Sequence, residues 1–138
     1  MKFSKILGEM LNEMGHQPDN GDCFDSAFDF MLNKGNKIEG LKLVHGFVSG
    51  KGELNGYRFT HGWCEDDEMV YDNANGKKGA LPKMIYYGIG NIHPDDCKYY
   101  SFDETIDMGQ NSNHKGPWEI KNKVYKEKFN PKTGRYNQ

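Results

Sequence analysis

Apolar residues recur along the chain in two rhythms, and the rhythms divide it into elements. Ile6, Met10 and Met14 fall four apart with Leu7 and Leu11 beside them, which predicts a helix over Lys5–Met14, capped by Ser4 and ended by Gly15. Phe24, Phe28, Met31 and Leu32, with Ala27 alongside, predict a second helix over Cys23–Lys34, stopped by Gly35. Asp22 is placed to cap it, with Asp25 where a capping box puts an acid. The rhythm then drops to two. Leu41–Ser49 reads as a strand with Leu41, Leu43, His45 and Phe47 on one face and Val44 and Val48 on the other. Gly50–Gly56 is a flexible connection. Tyr57–Glu65 is the next strand; Tyr57, Phe59, His61 and Trp63 share a face, opposite Arg58, Thr60, Gly62 and Cys64.

Beyond it the pattern shortens. Asp66-Asp67 leads to a strand over Met69–Asn73, and Asn73–Gly76 is a turn. Pro82 opens a short helix to about Tyr87. Lys98–Phe102 is a strand, Ser101 or Asp103 starts a helix through about Met108, and Gly109–Pro117 is loop. No repeat or low-complexity tract is visible. The sum is one α+β domain over residues 1–118, N-terminal helices on a small antiparallel sheet, followed by a tail over residues 119–138.

Composition changes little in this picture. The 138 residues suffice for one core, and 13% aromatics exclude a disordered chain despite only 36% hydrophobic residues. No apolar run reaches membrane-spanning length, and Met1–Gly15 carries too much Lys, Glu and Asn for a secretory signal. Three cysteines without framework spacing argue against a disulfide scaffold and for a cytoplasmic, reducing home. Charge does matter. Net charge is −2, but Glu119–Gln138 carries six Lys/Arg against two acids, leaving an acidic body and a basic tail. Such a tail suits nucleic acid or an acidic partner, or it is simply a solvated terminus.

Candidate chemistry centres on Cys23, at a helix start after the polar loop His16–Gly21. Helix-start amides and the helix dipole favour a thiolate there, the nucleophilic form of cysteine. If Asp66-Asp67 forms the hairpin turn, Trp63 pairs with Val70 and His61 with Asp72, on one face. The carboxylate would then fix the imidazole's orientation, and the aromatic face of the hairpin would receive the Phe/Met face of the second helix, bringing Cys23 to His61. The backbone N–H of Cys23 and the side-chain amide of Gln17, with Asn20 in reserve, are candidate oxyanion donors. Asp22 would oppose thiolate formation if it pointed at the sulfur.

Gln17 six residues before Cys23, with Phe24 next, resembles papain-like thiol hydrolases. His61-Gly62-Trp63-Cys64-Glu65 followed by Val70-Tyr71-Asp72 is similar to the histidine and aspartate strands of transglutaminase-like proteins of the same broad superfamily. The order Cys, His, Asp is shared as well. The likeness spans Gln17–Asn75 and implies a papain/transglutaminase-like core with Cys23 as nucleophile, His61 as base, Asp72 as orienter and Gln17 as oxyanion donor. Gly62 and Cys64 depart from it, standing where apolar residues are commoner. His114-Lys115-Gly116-Pro117-Trp118 resembles a segment of short bacterial and phage proteins of this sort.

The implied activity is acyl transfer at an amide, thioester or isopeptide carbonyl of a protein, peptide or small amide, with no metal or organic cofactor needed. Peptidase, amidase, deamidase and transglutaminase-like outcomes stay open, as does a non-catalytic binding protein on the same scaffold. Zinc at His61, Cys64, His93 and Cys97 is disfavoured because His61 and Cys64 point to opposite faces of their strand. His45 reads as a hydrogen-bonded structural histidine. Trp118 reads as an anchor for the tail, and the tyrosines as core and rim.

Overall fold

The computed structural model describes residues 22–72 and 79–136. The N-terminal helix, Gln17, Asn20 and the Asn73–Gly76 turn expected from the sequence lie outside the described residues, as does the Asp22 side chain.

A long hairpin is the centre of the molecule. β1 (Lys42–Ser49) pairs antiparallel with β2 (Tyr57–Glu65) along its whole length, from Lys42 opposite Glu65 to Ser49 opposite Arg58. β3 (Met69–Tyr71), β4 (Ala80–Pro82) and β5 (Lys98–Tyr100) complete a sheet of order β4-β3-β2-β1-β5, and β6 (Val124–Lys126) pairs with the first residues of β2. β7 (Phe129–Asn130) and β8 (Arg135–Tyr136) form a separate hairpin. The protein is thus α+β with an antiparallel sheet, and helices lie on both faces.

α1 (Asp22–Lys34) and α3 (Phe102–Ser112) cover one face. Ala27 and Met31 of α1 pack there against Leu41, Leu43, Cys64 and Tyr100. α2 (Lys83–Ile89) covers the other, where Tyr86 joins Val44, Val48, Phe59, Trp63 and Val70. This corrects the expected docking. α1 does not sit on the aromatic face of β2 but on the face of Gly62 and Cys64, whose small side chains let a helix come close. The Cys64 thiol donates to the Ala27 carbonyl at 3.2 Å. The buried stripe of α1 is rotated accordingly. Phe24, Ala27 and Met31 are buried, while Leu32 is exposed and Phe28 turns against Trp118, ring centroids 6.1 Å apart.

The β2–β3 register also differs from expectation. Cys64 pairs with Tyr71 and Glu65 with Val70, two residues away from the predicted pairing. Asp66 causes the shift. Its Oδ1 accepts the N–H groups of Glu68 and Met69 at 2.8 and 2.7 Å, so it opens the turn rather than occupying its tip. Because side chains alternate with period two, a slip of two returns every residue to its predicted face.

Three shorter elements depart from expectation for local reasons. β4 precedes α2 and ends at Pro82; at a sheet edge proline's missing N–H forfeits no ladder bond. α3 runs to Ser112, past the expected end at Met108, closed by a left-handed Asn113. A Cβ on its Gly109 would lie 2.8 Å from the Phe28 ring, so that glycine is a point of close helix packing and not a stop. Ser101 and Glu104 form the capping box that starts this helix.

The basic tail is built in. Besides β6, the Thr60 hydroxyl donates to the Lys121 carbonyl at 2.6 Å. Arg58, 1% exposed, donates to Ser49 Oγ and to the carbonyls of Phe47 and Asn91, and Ser49 Oγ donates to Glu127 Oε1 at 2.6 Å. The Tyr136 ring lies over the same guanidinium at 5.1 Å. On the other face, buried Glu65 accepts from Trp63 Nε1 and the Tyr87 hydroxyl and pairs with Lys83 Nζ at 2.6 Å.

Candidate active site

Three elements converge at the outer edge of β2. β3 occupies that edge at Cys64 and Glu65, and β6 at Tyr57–Phe59. Among the described residues, His61–Trp63 have no strand partner there. The first turn of α1 stands at this gap, with Phe24 pressed onto Gly62. A Cβ at Gly62 would fall 2.9 Å from Phe24 Cδ1 and 3.4 Å from His45 Cδ2. Gly62 thus sets how closely the Cys23 turn approaches the strand. Gly62→Ala should push that turn outward and cost about 1–3 kcal/mol. A chemical denaturation curve checks it; an unchanged midpoint would mean the turn is not seated there.

His61 points to the opposite face from Phe24, beside Trp63 and Phe59, at ring-centroid distances of 6.0 and 5.9 Å. Its Nε2–H donates to Asp72 Oδ2 at 2.8 Å. Asp72 follows β3 directly, and its own N–H donates to the Gly79 carbonyl at 3.2 Å. By the observed register Asp72 lies diagonal to His61 and not opposite it, within reach because both side chains stay on one face. Cys23 is close enough to act on the His61 imidazole through its charge. With Nε2 committed to Asp72, a bond to the thiol would fall to Nδ1.

Burial alone would lower the His61 pKa. The charges of Asp72 and then Cys23, with the hydrogen bond to Asp72, outweigh it and raise the value to about 10. The imidazole therefore holds its proton at neutral pH, as an imidazolium beside the Asp72 carboxylate.

Tyr86 completes the site, and nothing in the sequence pattern singles it out from the other tyrosines. Its hydroxyl donates to the same Asp72 Oδ2 at 2.7 Å. Burial, then the Asp72 charge, raises its pKa well above the ordinary value, so it remains a donor. Asp72 is held from two sides, and His61 takes its orientation from it.

Cys23, His61 and Asp72 are 3%, 0% and 2% exposed, so the site is closed to solvent. Cys64 and Cys97 are buried too, and burial pushes both thiols up, Cys97 to about 12. Neither faces His61: Cys64 lies on the α1 side, and Cys97 Sγ donates to the His93 carbonyl.

His45 differs from expectation. It is fully buried among Phe24, Tyr100 and Trp118, with ring centroids 5.0 to 5.3 Å apart around it, and neither ring nitrogen has a hydrogen-bond partner among the described residues. Burial, then the nearby His114 and His61, lowers its pKa to about 3, so it is a neutral packing group. The Gly116 backbone crosses its edge at φ +107°, where a Cβ would lie 2.6 Å from the ring. Trp118 anchors this loop by donating Nε1–H to the His114 carbonyl at 3.0 Å.

No family model, curated protein or solved structure matches the chain. Among the described residues no helix is long and apolar enough to cross a membrane, and no cluster of His, Cys, Asp and Glu has the makings of a metal site.

Proposed function

We propose that the protein is a cysteine-dependent acyl-transfer enzyme with a papain/transglutaminase-like arrangement of Cys23, His61 and Asp72. The observation that carries this reading is the His61 imidazole, bonded to Asp72 through Nε2, with Cys23, in the first turn of a helix, near enough for its charge to raise the imidazole pKa. The thiolate adds to the carbonyl carbon, forming a C–S bond. The carbonyl oxygen becomes an oxyanion, for which the Cys23 N–H and the Gln17 amide are the proposed donors. Collapse of this intermediate breaks the bond to the leaving group, which departs with the proton from His61 Nδ1. Water or an amine then gives its proton to the imidazole, attacks the thioester and expels the thiolate. Asp72, steadied by Tyr86, keeps the ring in place through both halves. A protein, peptide or small amide is the substrate. With Cys23 3% exposed, the site must open for a substrate carbonyl to reach the sulfur.

Iodoacetamide titration tests this. At about pH 6.5, two units below an ordinary thiol pKa, Cys23 should alkylate at least ~10-fold faster than Cys64 or Cys97. Site-resolved mass spectrometry reads the three rates. Equal, slow alkylation of all three would overturn the proposal.

A further inference from the structure

We propose that the groove between α1 and the β3–β4 edge binds the acyl-donor peptide of this enzyme, and that it selects peptides with an apolar residue near the reacting carbonyl and an acidic residue about five positions away. The proposal rests on the acyl-transfer reading of Cys23 and adds to it a substrate class. The groove encloses about 850 Å³ and is lined by Ser26, Phe30, Lys34, Lys37, Ile38 and Tyr71.

Its near end adjoins the triad. Ser26 is one helical turn from Cys23. Gly79, also on the wall, accepts the Asp72 N–H. Its middle is apolar, where the Phe30 and Tyr71 rings stack with centroids 5.4 Å apart and an interplanar angle of 22°. Its far end is cationic. Lys34 and Lys37 are exposed, and neither is in an ion pair among the described residues. Asp29 is the acid on the wall, and Lys115 Nζ holds it at 2.9 Å. The charge left for a ligand is therefore positive.

The helix supplies a ruler. Eleven residues at ~1.5 Å rise put Lys34 roughly 16 Å along α1 from Cys23. An extended peptide covers that span in about five residues at ~3.3 Å each. A peptide whose carbonyl lies at Cys23 would lay its next residues over the Phe30–Tyr71 rings and bring an acidic side chain to the lysines.

Fluorescence anisotropy on full-length Cys23→Ala protein tests this without any chemistry taking place. The probes are two labelled octapeptides with a central phenylalanine, one carrying a glutamate pair at one end and the other a glutamine pair. The glutamate peptide should bind roughly five- to tenfold tighter, the scale of two exposed ion pairs. That preference should vanish in the Lys34→Ala/Lys37→Ala background and shrink with added salt. Equal binding of the two peptides, binding of neither, or a preference lost only on Lys121→Ala/Lys123→Ala would overturn the groove assignment. Cys23 alkylation in the native protein is measured independently, so failure of the groove and failure of the acyl-transfer reading are separate results.

Discussion

His61→Gln should slow acylation of Cys23 by a peptide p-nitroanilide probe by ~10²–10⁴-fold, the usual worth of a positioned acid-base group. Glutamine is chosen because its side-chain N–H₂ can replace the Nε2–H bond to Asp72, so a buried acceptor is not stranded. What it cannot do is carry a proton on the side facing the sulfur. The rate loss should therefore come with little change in melting temperature, and iodoacetamide alkylation at neutral pH should slow alongside it. The wild-type protein should keep its acylation rate as pH rises above neutrality and lose it near pH 10, where the imidazolium gives up its proton. A variant that is acylated and alkylated at the wild-type rate would remove His61 from the chemistry.

Asp72→Ala should destabilise the protein by about 3–5 kcal/mol, because it strips a buried charge from its partners. Two donors lose their acceptor together, His61 Nε2–H and the Tyr86 hydroxyl, both fully buried. A pH signature accompanies the loss. The folded-state pKa of His61 is raised from 6.5 to about 10. The stability it contributes is thus fully present below about pH 6.5 and is lost as pH climbs through about 10. In Asp72→Ala the chief raising charge is gone, so the decline in stability between those limits should flatten. Asp72→Asn keeps an acceptor oxygen and should recover part of the stability without restoring the slope. Urea denaturation across this pH range measures both quantities. A wild-type stability that does not fall toward alkaline pH would contradict the charged state assigned to His61.

The parts of the site that could be read from the sequence are those fixed by period. β2 runs from Tyr57 to Glu65 as the alternation requires; alternation puts His61 and Trp63 on a common face, and any turn with an even number of residues adds Asp72 to it. The pairing distance was not legible, because it depends on whether Asp66 occupies the turn or opens it, a choice made by two side-chain hydrogen bonds. The face of β2 that receives α1 departs from expectation for a different reason. Aromatic residues mark one face as apolar, but Gly62 and Cys64 mark the other as the one a helix can approach, and that steric signal is as visible in the sequence as the aromatic one. Tyr86 was hidden because its role comes from α2 crossing back over Asp72. β4, β6, β7 and β8 are two or three residues long, too short to show any period. Of the residues singled out in the sequence, His61 and Asp72 meet in a hydrogen bond, while Gln17 falls outside the described residues.

β6 has a consequence for handling the protein. It hydrogen-bonds to the main chain of Tyr57, Arg58 and Phe59, and its neighbour Glu127 takes the Ser49 hydroxyl beside the Arg58 guanidinium. Cutting the chain after residue 118 would bare a run of strand backbone and uncover a cation that is now sheathed. Open strand margins of this kind invite the same margin on another molecule. The shortened protein should sediment as dimers or larger aggregates where the full chain does not, which makes the last twenty residues the selvage that keeps the sheet from fraying into its neighbours.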